Sequence, residues 1–312
     1  MDLEELTRRR QAIIDRHGPW IYYNVELASG VYTMDTATPV QARRVQRVLQ
    51  VASDVTCKPL DALRVLDLGS HEGKFAVEFA RHGADVVAVE VRAAHVEKAR
   101  LVRDWFELDN LELVQDDVRS IAAEWHGSFD VVLCLGLLYH LGAADGVDLM
   151  RRVSELCRRV AIIDTQIGLS GRARHRSGAI EYRGSLYREH LEDTTSAERE
   201  GITGASIDNP VSFWFTRPSL CNLLADVGFS SVYEGLNPPA TLAKRDRRTL
   251  VAMKGKPVDV MGLPPGGSAP ERWPERRRAR AYSDQRRLRQ FLLRHPGLDR
   301  RARRQWRRLT GR

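Results

Sequence analysis

Four carboxylates in this chain stand where a strand would end, at spacings that suit the hydroxyls and amines of a nucleoside: Asp67, Glu90 and the Asp116-Asp117 pair. Asp67 closes the apolar run Arg64-Val-Leu-Asp-Leu and leads into Gly69-Ser-His-Glu-Gly73, after which Lys74–Ala80 has helical spacing, with Phe75, Ala76, Phe79 and Ala80 on one face. A strand, a glycine turn and a helix of this kind present backbone N–H groups to an anionic ligand. A dinucleotide fingerprint would need a small residue at His71 and would set phosphates beside Glu72, so the turn argues against NAD. Glu90 ends a second strand-like run, Ala84-Asp-Val-Val-Ala-Val-Glu90, and lies 23 positions after Asp67, the distance at which a carboxylate can accept both ribose hydroxyls. Read blandly, Asp67 and Glu72 would only complement a helix N-terminus, Glu90 would be a solvated strand end and Asp117 a helix cap.

The spacing Asp67-x-Gly69-x-x-x-Gly73 resembles motif I of the class I S-adenosylmethionine-dependent methyltransferases, and three later segments agree with it in order. These are the Glu90 strand, the third strand Leu111–Gln115 with its acidic turn Asp116-Asp117-Val118, and the fourth strand Phe129–Leu135 followed by Gly-Leu-Leu-Tyr-His140. The resemblance implies S-adenosyl-L-methionine as cofactor, held by Asp67, Gly69, Ser70, His71, Gly73, Glu90, Asp116, Asp117, Val118 and Leu135. It also implies that the end of the fourth strand faces the reaction centre. Methyl transfer to an alcohol calls for in-line positioning and for a base near the departing proton. His140 is the expected base, with Asp164 at the end of the fifth strand to orient it and Tyr139 lining the pocket; a helix-capping or packing role is the alternative for His140. No ligand spacing demands a metal.

Trp20-Ile-Tyr-Tyr-Asn-Val-Glu-Leu, Gly30-Val-Tyr-Thr33 and Leu137-Leu-Tyr-His140 are similar to the subgroup that contains the tRNA wobble-uridine carboxymethyltransferases and relatives from biosynthetic gene clusters. In the tRNA enzymes a basic residue follows the Tyr-His pair, whereas Leu141 stands here, which favours plain S-adenosylmethionine over its carboxylated form.

The elements that must position these residues read as an α/β chain: a Rossmann-like, doubly wound, mostly parallel seven-stranded sheet. The expected helices are 2–16, from Pro39 to about Val55, Ala93–Phe106, Val147–Cys157 and Phe213–Gly228, the last with a start signal at Thr216-Arg-Pro-Ser, with further strands at Val160–Thr165, Ser231–Glu234 and Arg248–Lys254. Residues 1–58 form an N-terminal extension with a hairpin around Ala28-Ser-Gly30, and 59–256 the cofactor domain. Within that domain, the long connection 166–210 is expected to act as a lid, with a solvent-exposed or homodimer-forming excursion as the alternative. Residues 257–274 are a linker by composition, and 275–312 an Arg-rich tail.

The charge is divided sharply. Residues 271–312 hold 16 Arg, no Lys and four acids, a net +12 within a chain of +8, which leaves the preceding 270 residues at −4. The tail could meet tRNA phosphates, an anionic membrane, or the acidic body itself. An acidic body argues for a small-molecule, sugar or glycan hydroxyl as acceptor over tRNA. A binding protein that has lost catalysis is the non-enzymatic alternative. Four scattered cysteines and the lack of an apolar span point to a reducing, cytoplasmic setting, with the inner membrane surface as a place of peripheral contact.

Overall fold

A computed structural model describes residues 1–34, 42–235, 246–256, 258, 261 and 272–275. Its centre is a seven-stranded sheet in the order β11-β12-β7-β6-β3-β4-β5, from β3 (Arg64–Leu68), β4 (Asp85–Val89), β5 (Leu111–Val114), β6 (Phe129–Leu135), β7 (Cys157–Gln166), β11 (Ser231–Gly235) and β12 (Arg247–Met253). Strands β5, β4, β3, β6 and β7 run parallel, and β12 pairs antiparallel with both β7 and β11.

Their near-continuous apolar composition follows from burial on both faces. Because side chains alternate across a strand, Val65, Val86, Ala88, Val131 and Leu133 pack toward α1 (Leu3–His17), α2 (Ala42–Thr56), α3 (Lys74–Arg81) and α4 (Ala93–Trp105). Leu66, Leu68, Val87, Val89 and Val132 pack on the other side, toward α6 (Ala143–Leu156) and α8 (Arg217–Asp226). Leu6, Ile13, Trp20, Tyr23 and Leu27 of the N-terminal extension share the first of these clusters with Phe75 and Phe79.

The extension is a hairpin only at its tip, β1 (Glu26–Ala28) with β2 (Val31–Tyr32). Before it the chain is pinned by a buried carboxylate: Glu72 accepts the N–H groups of Ile21, Tyr22 and Tyr23 at 2.8 to 3.2 Å and pairs with Lys98 at 3.2 Å. Tyr22 is thereby laid against the glycine turn, its ring edge-on to His71 at 4.8 Å.

The expectation of a helix from Phe213 needs correction. Val211–Phe215 is strand β10, and it completes a three-stranded antiparallel sheet with β8 (Ala173–Ser177) and β9 (Ile180–Arg188). The aromatics Phe213, Trp214 and Phe215 are all buried, on both sides of that sheet, a pattern that an amphipathic helix does not require. The helix starts at Arg217, capped by Thr216, whose hydroxyl accepts from Ser219 N at 3.2 Å. Helix α6 likewise begins at Ala143, four residues before its expected start, and β7 at Cys157. The segment 166–210 thus carries the β8–β9 hairpin and then the short helix α7 (Ser196–Gly201), with a complete Thr195–Glu198 capping box. A four-residue α5 (Ala123–His126) precedes β6.

Residues 272–275 return to α8: Trp273 and Asn222 exchange hydrogen bonds of 2.8 and 3.1 Å, and Glu275 accepts from Thr216 and Ser219 at 2.6 and 2.7 Å. The Pro39 helix start, most of the 257–274 linker and the tail from 276 onward lie outside the described residues. Among the described residues no helix is long and apolar enough to cross a membrane.

Candidate active site

The turn after β3 owes its shape to three residues with left-handed backbones: Gly69 at φ +67°, His71 at +54° and Gly73 at +79°. Glycine is needed at 73 for a second reason, since a Cβ there would lie 2.8 Å from the Cβ of Ala99. Four of the turn's N–H groups are engaged within the protein. Gly69 and Ser70 donate to Val89 O at 2.9 and 3.0 Å, Gly73 donates to Ser70 O at 3.0 Å, and His71 donates to Glu90 at 2.9 Å. The turn also offers a ligand side-chain chemistry: Asp67 Oδ2 and Ser70 Oγ are both buried and, among the described residues, without a hydrogen-bond partner.

Glu90 directly follows β4, is 6% exposed and accepts from the N–H groups of His71 and Arg92, each at 2.9 Å. Burial by itself would raise its pKa, and the neighbouring His95 with these two N–H donors outweighs burial, so the group lies below the ordinary glutamate range. Asp67 behaves in the opposite way. Burial, set against a backbone hydrogen bond from Ala76 and the charge of Lys74, pushes its pKa up to about 7. Lys74 is in turn pushed down to about 8, by burial and then by Arg44.

A raised carboxyl pKa contributes stability that is complete below the unfolded-state value, near 4, and is lost as pH rises through about 7. Ionising Asp67 in the folded protein should thus cost on the order of 4 kcal/mol. Asp67→Asn is expected to gain a few kcal/mol on the wild type between pH 5 and pH 8, read from denaturant unfolding of the ligand-free proteins at both values. A constant difference between the two proteins across that window would mean that Asp67 is ionised throughout.

A cavity runs from Glu90, Val91 and His95, past Asp117 and Val118, to Gly136, Leu137 and His140, and its roof is the lid segment around Ser206. Gly69 and His71 also line it. Of the acidic pair, Asp117 faces this cavity, bonded to Arg119 Nε at 3.0 Å; Arg119 also reaches Asp208 of the lid at 2.5 Å. Asp116 does not contribute: it is exposed and caps the next turn through Ser120 at 2.7 Å. Leu135 is half-buried at the end of β6 outside the cavity wall, and Gly136 and Leu137 take the place expected for it.

His140 stands at the far end of the cavity, in a single 3-10 turn, but Asp164 does not orient it. Its Nδ1 lies 3.2 Å from both carboxylate oxygens of Glu189, which is itself held by Ser212 Oγ at 2.8 Å and Ser206 N at 3.3 Å. Asp164 is engaged elsewhere, with Arg247, with Thr249 Oγ1 at 2.9 Å and with Arg44 at 3.3 Å. The cause is topological: β12 inserts beside β7 in antiparallel register, Thr249 opposite Asp164, and brings two hydrogen-bond donors to that carboxylate. Tyr139 is half-buried beside His140, with ring centroids 4.2 Å apart and Arg247 over its ring at 5.6 Å. Burial holds its phenol above the ordinary range despite the nearby Arg247.

Glu189, Arg92 and Arg119 escaped the reading of the sequence. Arg92 sends its guanidinium to the carbonyls of Arg199, Glu200, Ile202 and Ala205 at 3.1 to 3.2 Å and ties down the lid beside Glu90. A signal for both arginines existed in the repeated triplets Glu90-Val-Arg92 and Asp117-Val-Arg119. Glu189, one acid among several in the insertion, carried none.

Residues 65–160 match the methyltransferase domain family. Curated relatives include the ubiquinone biosynthesis O-methyltransferases of Acinetobacter baylyi, 35% identical over 78 residues, and of Xanthomonas campestris pv. campestris, 36% identical over 106 residues. These alignments take in 25% and 33% of this chain and 33% and 41% of the relatives, so the likeness spans well under half the length of either enzyme. Among solved structures, the N-terminal domain of EvdMO1, crystallised in the presence of SAH and D-fucose, superposes with a TM-score of 0.61 at 21% identity, covering 82% of this chain and 98% of that one. The strand order and this superposition give the chain the Rossmann-like methyltransferase fold, and residues 65–160 carry its match to the methyltransferase domain.

Proposed function

We propose that the protein transfers a methyl group from S-adenosylmethionine to a hydroxyl of a small molecule, sugar or glycan, with His140 as the general base. The observation that carries this reading is the His140–Glu189 pair at the end of the cavity that begins at Glu90. The residues present fit the cofactor: Glu90 is ionised and placed for ribose hydroxyls, Asp117 lines the wall beyond it, and Asp67 Oδ2 and Ser70 Oγ are buried without partners among the described residues. When bound, S-adenosylmethionine supplies a methyl on a sulfonium, whose departure as a neutral thioether needs no acid.

The chain's own contribution is then positional and protonic. With a proton on Nδ1 held toward Glu189, His140 keeps Nε2 as the acceptor for the hydroxyl proton. Glu189 offsets the imidazolium charge as it forms. The lid, tied to Arg92, Arg119 and His140, covers one side of the cavity. Aromatic surface stands close by: Tyr187 stacks on Trp214 at 4.3 Å, and Trp214 donates to Tyr139 O at 2.9 Å. The sugar in the EvdMO1 crystals and the O-methyltransferase names of the curated relatives support an oxygen acceptor and a sugar as its first candidate class.

Transfer of radiolabel from S-adenosylmethionine should be compared on deoxysugars and nucleotide sugars, a phenolic quinone precursor and total RNA. Label on sugar or phenol oxygen is the expected outcome. Incorporation into RNA alone would replace this reading with the tRNA-modifying one.

A further inference from the structure

Four ring nitrogens lie together inside the site without a well-formed hydrogen bond among the described residues, Nδ1 and Nε2 of both His71 and His95. The two rings stack with centroids 3.6 Å apart and planes at 29°, and both line the cavity beside Glu90. His95, on the first turn of α4, is 1% exposed. Its Nδ1 lies 3.5 Å from Glu90 Oε1, at the long limit of a hydrogen bond. Each neutral imidazole carries one donor and one acceptor, and interiors rarely leave such groups unmet. An aromatic hydrocarbon ring would fill the same space at no cost in lost hydrogen bonds. Two histidines here therefore point to a ligand that completes them.

The surroundings keep His71 uncharged. Burial, then His95 and the cations Lys98, Lys74 and Arg92, push the His71 pKa down to about 2, so this ring stays neutral at working pH. A neutral polar ring suits a cofactor that is itself a cation, which an imidazolium would repel.

We propose that the stacked His71–His95 pair is part of the cofactor-binding site, with His95 bonding a ribose hydroxyl that Glu90 also holds. The inference rests on the S-adenosylmethionine reading above. Geometry limits the choice of ligand atom, because an oxygen bound to Glu90 Oε1 lies within reach of a ring whose Nδ1 is 3.5 Å from that same oxygen.

Calorimetry with S-adenosylhomocysteine, paired with thermal melting of the ligand-free proteins, tests it on wild type, His95→Phe and His95→Gln. The Phe variant keeps the ring stack and removes the nitrogens. It should melt no lower than the wild type while binding S-adenosylhomocysteine at least tenfold more weakly, and the Gln variant should recover part of that loss. On either the 2′-deoxy or the 3′-deoxy analogue the tenfold gap between wild type and the Phe variant should largely close. Wild-type affinity in a folded Phe variant would overturn the proposal, as would a lower melting temperature with unchanged affinity. The same tenfold gap on both analogues would overturn the ribose contact. Failure of the wild type to bind S-adenosylhomocysteine at all would instead remove the cofactor reading on which the inference stands.

Discussion

Glu90→Ala is expected to weaken S-adenosylhomocysteine binding by a hundredfold or more while the protein remains folded. The carboxylate is ionised, buried and already fixed between the N–H groups of His71 and Arg92, so its remaining lone pairs meet ribose hydroxyls without any ordering cost. Hydrogen bonds to a charged acceptor contribute about 1.5–3 kcal/mol each, and two of them account for the expected factor. Loss of the side chain also frees the two N–H anchors, which loosens the glycine turn and the start of α4 together. Calorimetry and a melting curve on the same preparation check this. Unchanged affinity in a folded variant would remove Glu90 from the cofactor site.

His140→Ala should lower turnover by about a hundredfold or more, within the usual range for loss of a general base, and leave S-adenosylhomocysteine affinity close to the wild-type value. Glu189→Gln should fall between the two, by about tenfold, because the amide can hold the ring in place without offsetting the imidazolium charge. Single-turnover rates with saturating cofactor separate the chemical step from binding. If His140→Ala turns over at the wild-type rate, the base lies elsewhere. A Glu189→Gln rate equal to the wild type with His140→Ala impaired would leave His140 active without help from the lid.

The frame of the site was legible in the sequence because each of its parts is local. Asp67, Gly69, Gly73 and Glu90 sit where a strand meets a turn, and such junctions are written by apolar runs that stop and by glycines that permit a positive φ. Parallel strands buried on both faces are near-continuous apolar runs, so the order of strands and helices could be read directly. Strand β10 could not. Its aromatic run is buried against two different layers, and short apolar runs of that kind do not separate strand from helix by periodicity.

What only the tertiary structure decided is which charged group meets which. The sequence placed Asp164 at a strand end next to that of His140, a sound inference from the parallel pairing of β6 and β7. It could not show that β12 would carry Arg247 and Thr249 to Asp164, or that Glu189, 49 residues from His140, would arrive on the lid to take its place. Likewise Asp116 and Asp117 are equivalent as letters, and the turn's path sends one to solvent and the other to the cavity. The physical reason is one of range. Strand, turn and helix follow from neighbours a few residues apart, whereas the partner of a buried charge is set by whichever distant segment the packing lays over it, since a charge left unpaired there would cost more than almost any rearrangement of the lid.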